Sequence, residues 1–472
     1  MSGETTNTCY MPANRLVELY ELKSLSPIEV ATEALARIAD VDGDVNAYCL
    51  VDEAAALAAA KASEDRWMKG EPQGLADGVP VSVKDIVMTK GHTVRRGSKT
   101  TSENVPDRFD CPAVGRFREH GAVIIGRTTT PEHGWKGLCD SPLTGITRNP
   151  WDTSKTPGGS SGGAAASAAL GMAHLNVGTD GGGSVRIPAA FTGVFGCKAT
   201  FGRVPVFPPS AMGTLSHVGP LTRTVEDAAM MLNIMAQPDS RDWSALPYDP
   251  LDFRTELDLG VRHLNVAYSP NLGYAEVEPE VAAIVGDAVK VLEGLGAMIE
   301  EVDPGFEDPK EMFNAHWDLG AARLVDKVPE DRRAEMDPGL LRIAERGRQL
   351  TLAQHADAVD ARVELGRKMN LFHDTYDLLV TPAMPITAFT AGQDLADMDT
   401  QEDWMDWSPF TYPFNLTGQP ACVVPCGFTE VGMPVGLQIV GPRYADLLVM
   451  RAAGAFEHVR PFQMPDAANV TH

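Results

Sequence analysis

Apolar and polar positions first alternate at helical spacing. Between 14 and 70, Val30, Leu35 and Ile38 repeat along one predicted face, and Ser26-Pro27-Ile28-Glu29 reads as a capping box with proline at the first helical position. A second, alanine-rich helix is predicted over 53–69. From 75 the rhythm shortens: "GVPVSVKDIVM" and "AVIIGRT" predict strands, with a short helix in "CPAVGRFREHG" between them. "GGAAASAALGMAHLNVG" reads as a buried helix running into the strand "HLNVGTD". A capped helix over 224–237, the strand "HLNVAYS", a helix over 280–295 and the strand "AMIEEV" follow. Such alternation predicts an α/β fold, a large mixed sheet covered by helices on both faces. Residues 305–375 are charged, helical and low in glycine, an insertion over that core. "YDLLVTPAMP" and "PVGLQIVGP" return as core strands, flanking the aromatic, turn-rich "QEDWMDWSPFTYPFNLTG". One domain over 1–472 is expected, in four parts: N-terminal helices 14–70, catalytic core 75–240, helical insertion 305–375, and C-terminal strands and helix 376–460.

Composition narrows the partners. Of 472 residues 44% are hydrophobic and 22% charged, enough to bury a large core. Forty Lys+Arg against 64 Asp+Glu give a net charge of −24, which repels nucleic acid and anionic bilayers, so neither is an expected partner. The cysteines, Cys9, Cys49, Cys111, Cys139, Cys197, Cys422 and Cys426, are scattered and odd in number, the usage of a reducing cytosol. Cys422 and Cys426 are spaced C-x3-C, but "PACVVPCGF" is an apolar strand without a second pair or a nearby histidine, so no metal is expected. The start, "MSGETTNTCYMPANRL", has no basic and then apolar leader, and the chain has no run of 18 apolar residues; a cytoplasmic protein is expected.

The stretch "GTDGGGSVRIP", 178–188, carries the chemistry. No Lys-Ser/Thr pair follows the glycines, as a phosphate loop requires, and G-x-G-x-x-G is absent. Arg186 stands two places after Ser184, so the G-x-S-x-G elbow of α/β-hydrolases is excluded too. What remains is three bare residues, Gly181, Gly182 and Gly183, able to turn their amides and that of Ser184 toward one developing negative charge, ahead of a helix in "SVRIPAAF". A serine there needs a base. Of eleven histidines, His133 in "PEHGW" is the nearest candidate, and a lone histidine is more often structural. Ser160 lies 24 residues upstream in a second glycine-rich turn, "TPGGSSGGAAA". Lys84 sits inside an apolar strand, where burial makes a neutral, basic amine available. The bland alternative for Lys84 is a salt bridge to Asp85 at a strand end.

Six stretches together resemble the amidase signature family: "GVPVSVKD", "TRNPWD", "TPGGSSGGAAA", "GTDGGGSVRIPAAFTGVFGCKAT", "GPLTRTVEDAA" and "NLTGQPACVVPCGFTEVGMPVGLQIVG". In order and character the match runs from about 14 to 460. The family commonly has threonine or isoleucine where this chain has Gly181, and leucine-lysine-proline where it has Cys197-Lys198-Ala199. The resemblance implies an amidase signature fold and an amide hydrolase with no cofactor. Ser184 is then the nucleophile, Ser160 a bridging serine held by a cis peptide, and Lys84 the general base, with the oxyanion held by the amides of Gly181, Gly182, Gly183 and Ser184. Thr179 would tie the turn and Ser161 join the relay. Asp180 and Arg186 form a bracing ion pair in the preferred reading and contact substrate in the other. By the same resemblance the segment 131–144 builds a pocket wall, with Trp135, Leu138 and Cys139 in it, and Trp404, Trp407, Phe410 and Tyr412 nearby; these aromatics are equally well read as core. An apolar pocket would suit an aryl acylamide or a carbamate with an aryl amine, with water as co-substrate and a homodimer as an allowed assembly. Two alternatives stand beside this. One is the glutaminase component of a tRNA-dependent amidotransferase, whose typical "SSLDQIGP" is replaced here by "GTLSHVGP". The other is a non-catalytic binding module on the same fold.

Overall fold

The computed structural model describes residues 7–466. The Ser26 capping box forms as written: Ile28 N donates to Ser26 Oγ at 3.1 Å, Ser26 N donates to Glu29 Oε2 at 2.8 Å, and the helix runs Pro27–Val45. It stops at Asn46, left-handed at φ 53°. The alanine-rich helix Glu53–Lys69 follows and ends at Gly70, also left-handed. Between the two, the expected all-helical stretch is broken by a strand, β1 (Tyr48–Val51). With four residues and Tyr48 alone buried, it is too short to show an alternating pattern.

The remaining strands are β2 (Pro80–Lys84), β3 (Val123–Thr128), β4 (Asp140–Ser141), β5 (Gly145–Ile146), β6 (Leu175–Asp180), β7 (Phe195–Lys198), β8 (His217–Thr222), β9 (Asn265–Tyr268), β10 (Met298–Glu301), β11 (Leu378–Pro382), β12 (Ala421–Phe428) and β13 (Pro434–Val440). β4 and β5 make a small ribbon; the others join one mixed sheet in the order β1-β3-β2-β6-β8-β7-β12-β13-β11-β9-β10. Pairing is parallel along β3-β2-β6 and β11-β9-β10, and antiparallel through the middle.

β2, β3, β8, β11 and β13 are buried at every position, because helices cover both faces. Strand alternation divides the core into two layers. Leu378, Val380, Cys422 and Val424 pack with the helices Val225–Met235, Pro279–Gly294 and Asp446–Val459. Leu379, Ala421 and Val423 pack with Gly162–Ala169, Arg186–Thr192 and Lys310–Val325. Cys422 and Cys426 are plain core residues, and all seven cysteines are free thiols. The insertion appears as helices Lys310–Val325, Pro338–Gln349 and Leu352–Phe372. Its first helix sets Phe313 and Trp317 edge-to-face against Trp404 of the aromatic loop, with ring centroids 5.9 and 5.8 Å apart.

Candidate active site

The same alternation aims the lysine. Val81 and Val83 of β2 face the first layer, so Lys84 points to the opposite face, under the Gly162–Ala169 helix. Asp85, one residue on, pairs with Arg127, whose Nε lies 2.8 Å from Asp85 Oδ1. The Lys84–Asp85 bridge is therefore not formed. Lys84 Nζ instead donates to three hydroxyls: Ser160 Oγ at 2.6 Å, Ser161 Oγ at 2.9 Å and Thr179 Oγ1 at 2.9 Å. Among the described residues, no carboxylate balances it within ion-pair distance. Burial, the largest influence, pushes its pKa down to about 7, with Cys139 and Asp180 pulling the other way.

Each hydroxyl comes from a different local device. Thr179 is the last residue but one of β6, the parallel neighbour of β2, so both residues stand at the carboxyl ends of adjacent strands, where α/β sheets open a crevice. Ser160 follows a cis peptide from Gly159. Ser161 is fully engaged: it donates to Thr179 O at 3.1 Å and accepts from Thr179 N at 3.1 Å as well as from Lys84. Its own amide donates to Ser184 O at 3.1 Å, tying the two serine loops together. Ser160, Thr179, Gly181 and Ser184 all line one cavity of about 510 Å³.

The glycine loop is shaped by a buried ion pair. Arg186 Nε and Nη2 lie 3.0 Å from the two oxygens of Asp180, and neither residue touches solvent. Arg186 spends its other donors on Thr411 O, Gln438 Oε1 and Asn415 Oδ1. Arg186, with Lys198 and Asn415 helping, holds the Asp180 carboxyl well below the usual range against its burial. The pair lies outside the cavity lining and braces the turn. Asp180 Oδ1 also accepts from Gly183 N at 2.8 Å, so that amide faces the carboxylate and not the cavity. Gly183 is therefore removed from the expected set of four amides; Gly181, Gly182 and Ser184 remain the candidates. Gly183 keeps its glycine for another reason: at φ 128° a Cβ would stand 2.3 Å from Thr411 Oγ1. At Gly181 a Cβ would meet the Trp317 ring at 3.0 Å, so the indole takes the room that the missing side chain leaves.

Trp135, Leu138 and Cys139 do not line the cavity. They are buried in the layer beneath it, where Trp135 covers Gly339 and Cys139 Sγ reaches Thr129 Oγ1 at 3.6 Å. Trp404, Trp407, Phe410 and Tyr412 are core as well. The walls are instead Ile86, Val87 and Met88 after β2, the segment Val206–Met212 with its cis Phe207–Pro208 bond, and Trp317, Leu324, Lys327, Val328 and Pro329 of the insertion. A proline-rich run beside an aromatic, "VFPPSAM", was the visible signal for the second wall; nothing in the helical pattern singled out Trp317. His133 lines the cavity too, and burial and the nearby charge of Arg96 push it down to about 3, so it is a neutral wall residue and not a base.

The Amidase family model matches residues 29–450. An acylamidase of Rhodococcus erythropolis is 36% identical over 97% of both chains. The A-type component of the glutamyl-tRNA(Gln) amidotransferase of Myxococcus xanthus is 35% identical over 92% of this chain and 94% of its own. Among solved structures, a bacterial aryl acylamidase superposes with a TM-score of 0.90 at 30% identity, covering 96% of each chain. With a family match along nearly its whole length, the chain belongs to the amidase signature family and is an amide hydrolase.

Proposed function

We propose that the protein hydrolyses apolar, aryl-type acylamides through an acyl-enzyme on Ser184, with Lys84 acting through Ser160. The observation that carries the mechanism is the uncompensated Lys84 amine, 2.6 Å from Ser160 Oγ in the cavity that Ser184 shares. Near neutral pH a large share of Lys84 is unprotonated and can accept a proton. As Ser184 Oγ attacks the amide carbonyl, its proton passes to Ser160 and the Ser160 proton to Lys84 Nζ. The amides of Gly181, Gly182 and Ser184 receive the oxyanion, each worth roughly 3 kcal/mol by analogy with other oxyanion donors. Collapse expels the amine, to which the proton returns by the same route, and water then attacks the ester with Lys84 again as base.

The substrate class follows from the walls. Ile86, Val87, Met88, Phe207, Met212 and Trp317 give apolar contact. Among the described lining residues there is no carboxylate, so the α-ammonium of glutamine would find no partner, which supports an acylamidase over a glutaminase. The free thiols suit a cytoplasmic setting. The test is turnover of anilides, aryl carbamates, short aliphatic amides and glutamine by the protein alone, with fluorophosphonate labelling of wild type, Ser184→Ala and Lys84→Ala. Anilides should turn over fastest, and label should be lost in Ser184→Ala and strongly slowed in Lys84→Ala. Turnover confined to glutamine or small polar amides would overturn the substrate reading. Undiminished labelling of Ser184→Ala would overturn the mechanism.

A further inference from the structure

Within the apolar cavity stands a cation that, among the described residues, has no anion. Arg96 lines it together with Ser160 and Ser184. Its guanidinium makes two weak contacts, Nη1 to Val94 O at 3.4 Å and Nη2 to Met88 Sδ at 3.2 Å, and no ion pair within 4.0 Å. The carboxylates that act on its charge, Asp107 and Asp85, lie beyond ion-pair distance: Asp85 pairs with Arg127, and Asp107 accepts from the amide of Thr89 at 3.2 Å. Five N–H donors in a fork, largely withdrawn from water, make an expensive group to leave unmatched. His133 adds a second unmet group, since its buried Nε2 has no hydrogen-bond partner.

The backbone holds these two side chains side by side. Arg96 N donates to Asp85 O at 3.0 Å, and His133 N donates to Arg96 O at 2.7 Å. Both residues are left-handed, at φ 55° and 54°, a conformation uncommon for anything but glycine, so neighbouring structure fixes them there. The next residue, Gly134, abuts the reacting centre: a Cβ on it would lie 3.3 Å from Ser160 Oγ. Arg96 and His133 thus line the cavity that Ser160 also lines, and the backbone after His133 abuts that serine.

We infer that Arg96 and His133 Nε2 form a subsite for a carboxylate carried by the amide substrate, so that the preferred substrates are apolar amides with one anionic end. This deepens the reading of the cavity as an amide-hydrolysing site and rests on it. A carboxylate pairs with a guanidinium through two parallel N–H···O bonds, which supplies both the missing charge and an orientation for the scissile bond. Lys327, exposed on the same lining, adds a second positive charge. On a protein of net charge −24, these cations mark the cavity as the place where a small anion is drawn in.

Two matched substrate pairs test this. Succinic mono-p-nitroanilide against butyric p-nitroanilide places the carboxylate on the acyl side, and 4-acetamidobenzoate against 4-methylacetanilide places it on the amine side. In the wild type the carboxylate member of at least one pair should have a kcat/KM at least tenfold higher, mostly through KM. Arg96→Gln should lower that carboxylate-to-neutral ratio at least tenfold, Arg96→Lys should keep part of it, and His133→Phe should lower it less than Arg96→Gln. Phenylbutyrate, as a competitive inhibitor of neutral-anilide turnover, should bind wild type at least tenfold more tightly than Arg96→Gln. Thermal melting of each variant checks folding. Equal rates within both pairs, or an equal fall of both members in Arg96→Gln, would overturn the subsite while leaving the amidase reading intact. Failure of every anilide in the wild type would overturn the underlying reading and the subsite with it.

Discussion

Lys84 offers a prediction whose size can be worked out. An ordinary lysine titrates near 10.5, so at pH 7 about one in 3,000 is neutral. Burial moves Lys84 to about 7, where about half is neutral, a gain on the order of a thousandfold in usable base. Activity needs the unprotonated amine, so kcat/KM rises with pH, about tenfold per unit below pH 7, and levels off above it. Lys84→Ala removes the acceptor and should cost about 10² to 10⁴ in rate, with the acid limb gone from the profile. The variant also separates this effect from other buried groups in the same range, Lys198 at about 7 and two carboxyls. Asp227 is raised to about 6 and Glu457 to about 7, each chiefly by burial. Carboxyls raised in this way bind more protons folded than unfolded between their ordinary values and those pH values, so stability falls as pH rises through that window. All three groups remain in Lys84→Ala, so a limb they caused would persist there. The assay is steady-state hydrolysis of a neutral anilide from pH 5.5 to 9, with melting curves at each pH. A flat wild-type profile, an inflexion near 10, or an acid limb that survives Lys84→Ala would refute the assignment.

Two further outcomes follow from the glycine loop. Arg186→Leu strands the Asp180 carboxylate in the core and should cost about 3 to 5 kcal/mol of stability, read as a lower urea midpoint; Asp180→Asn should do comparable harm and slow turnover by loosening the Gly183 amide. Gly181→Ala sets a methyl 3.0 Å from the Trp317 ring and should lower kcat/KM for bulky anilides by about tenfold, with Trp317→Leu in the same chain recovering most of it; additive losses would show that the two do not share the space.

Local signals in the chain made most of the fold legible. The Ser26 box, the Thr224 cap, whose Oγ1 accepts from Asp227 N at 3.1 Å, and the apolar strand runs each encode an element in a few neighbouring residues. β1 escaped because pairing with β3, not its own pattern, makes it a strand. The aromatic loop was ambiguous for a related reason. Burial of Trp404 depends on Phe313 and Trp317, nearly a hundred residues earlier, and no local period reports that contact.

The site shows the same division more sharply. Residue type and motif brought Lys84, Ser160 and Ser184 forward as candidates, but the sequence could not show that Asp180 captures Gly183 N. Nor is a shifted lysine by itself a marker of the reacting centre. Lys198, at the end of β7, is also fully buried and is pushed down to about 7, by burial and by Arg186. Its Nζ is spent on the carbonyl of Gln419, and it does not line the cavity. Lys84 differs in what it faces: three hydroxyls, two of them, Ser160 and Thr179, on the cavity that Ser184 also lines. A base must first reach the proton, and only then does its pKa matter. That reach is set by β2 and β6 ending side by side and by two loops that one backbone hydrogen bond, Ser161 N to Ser184 O, holds together.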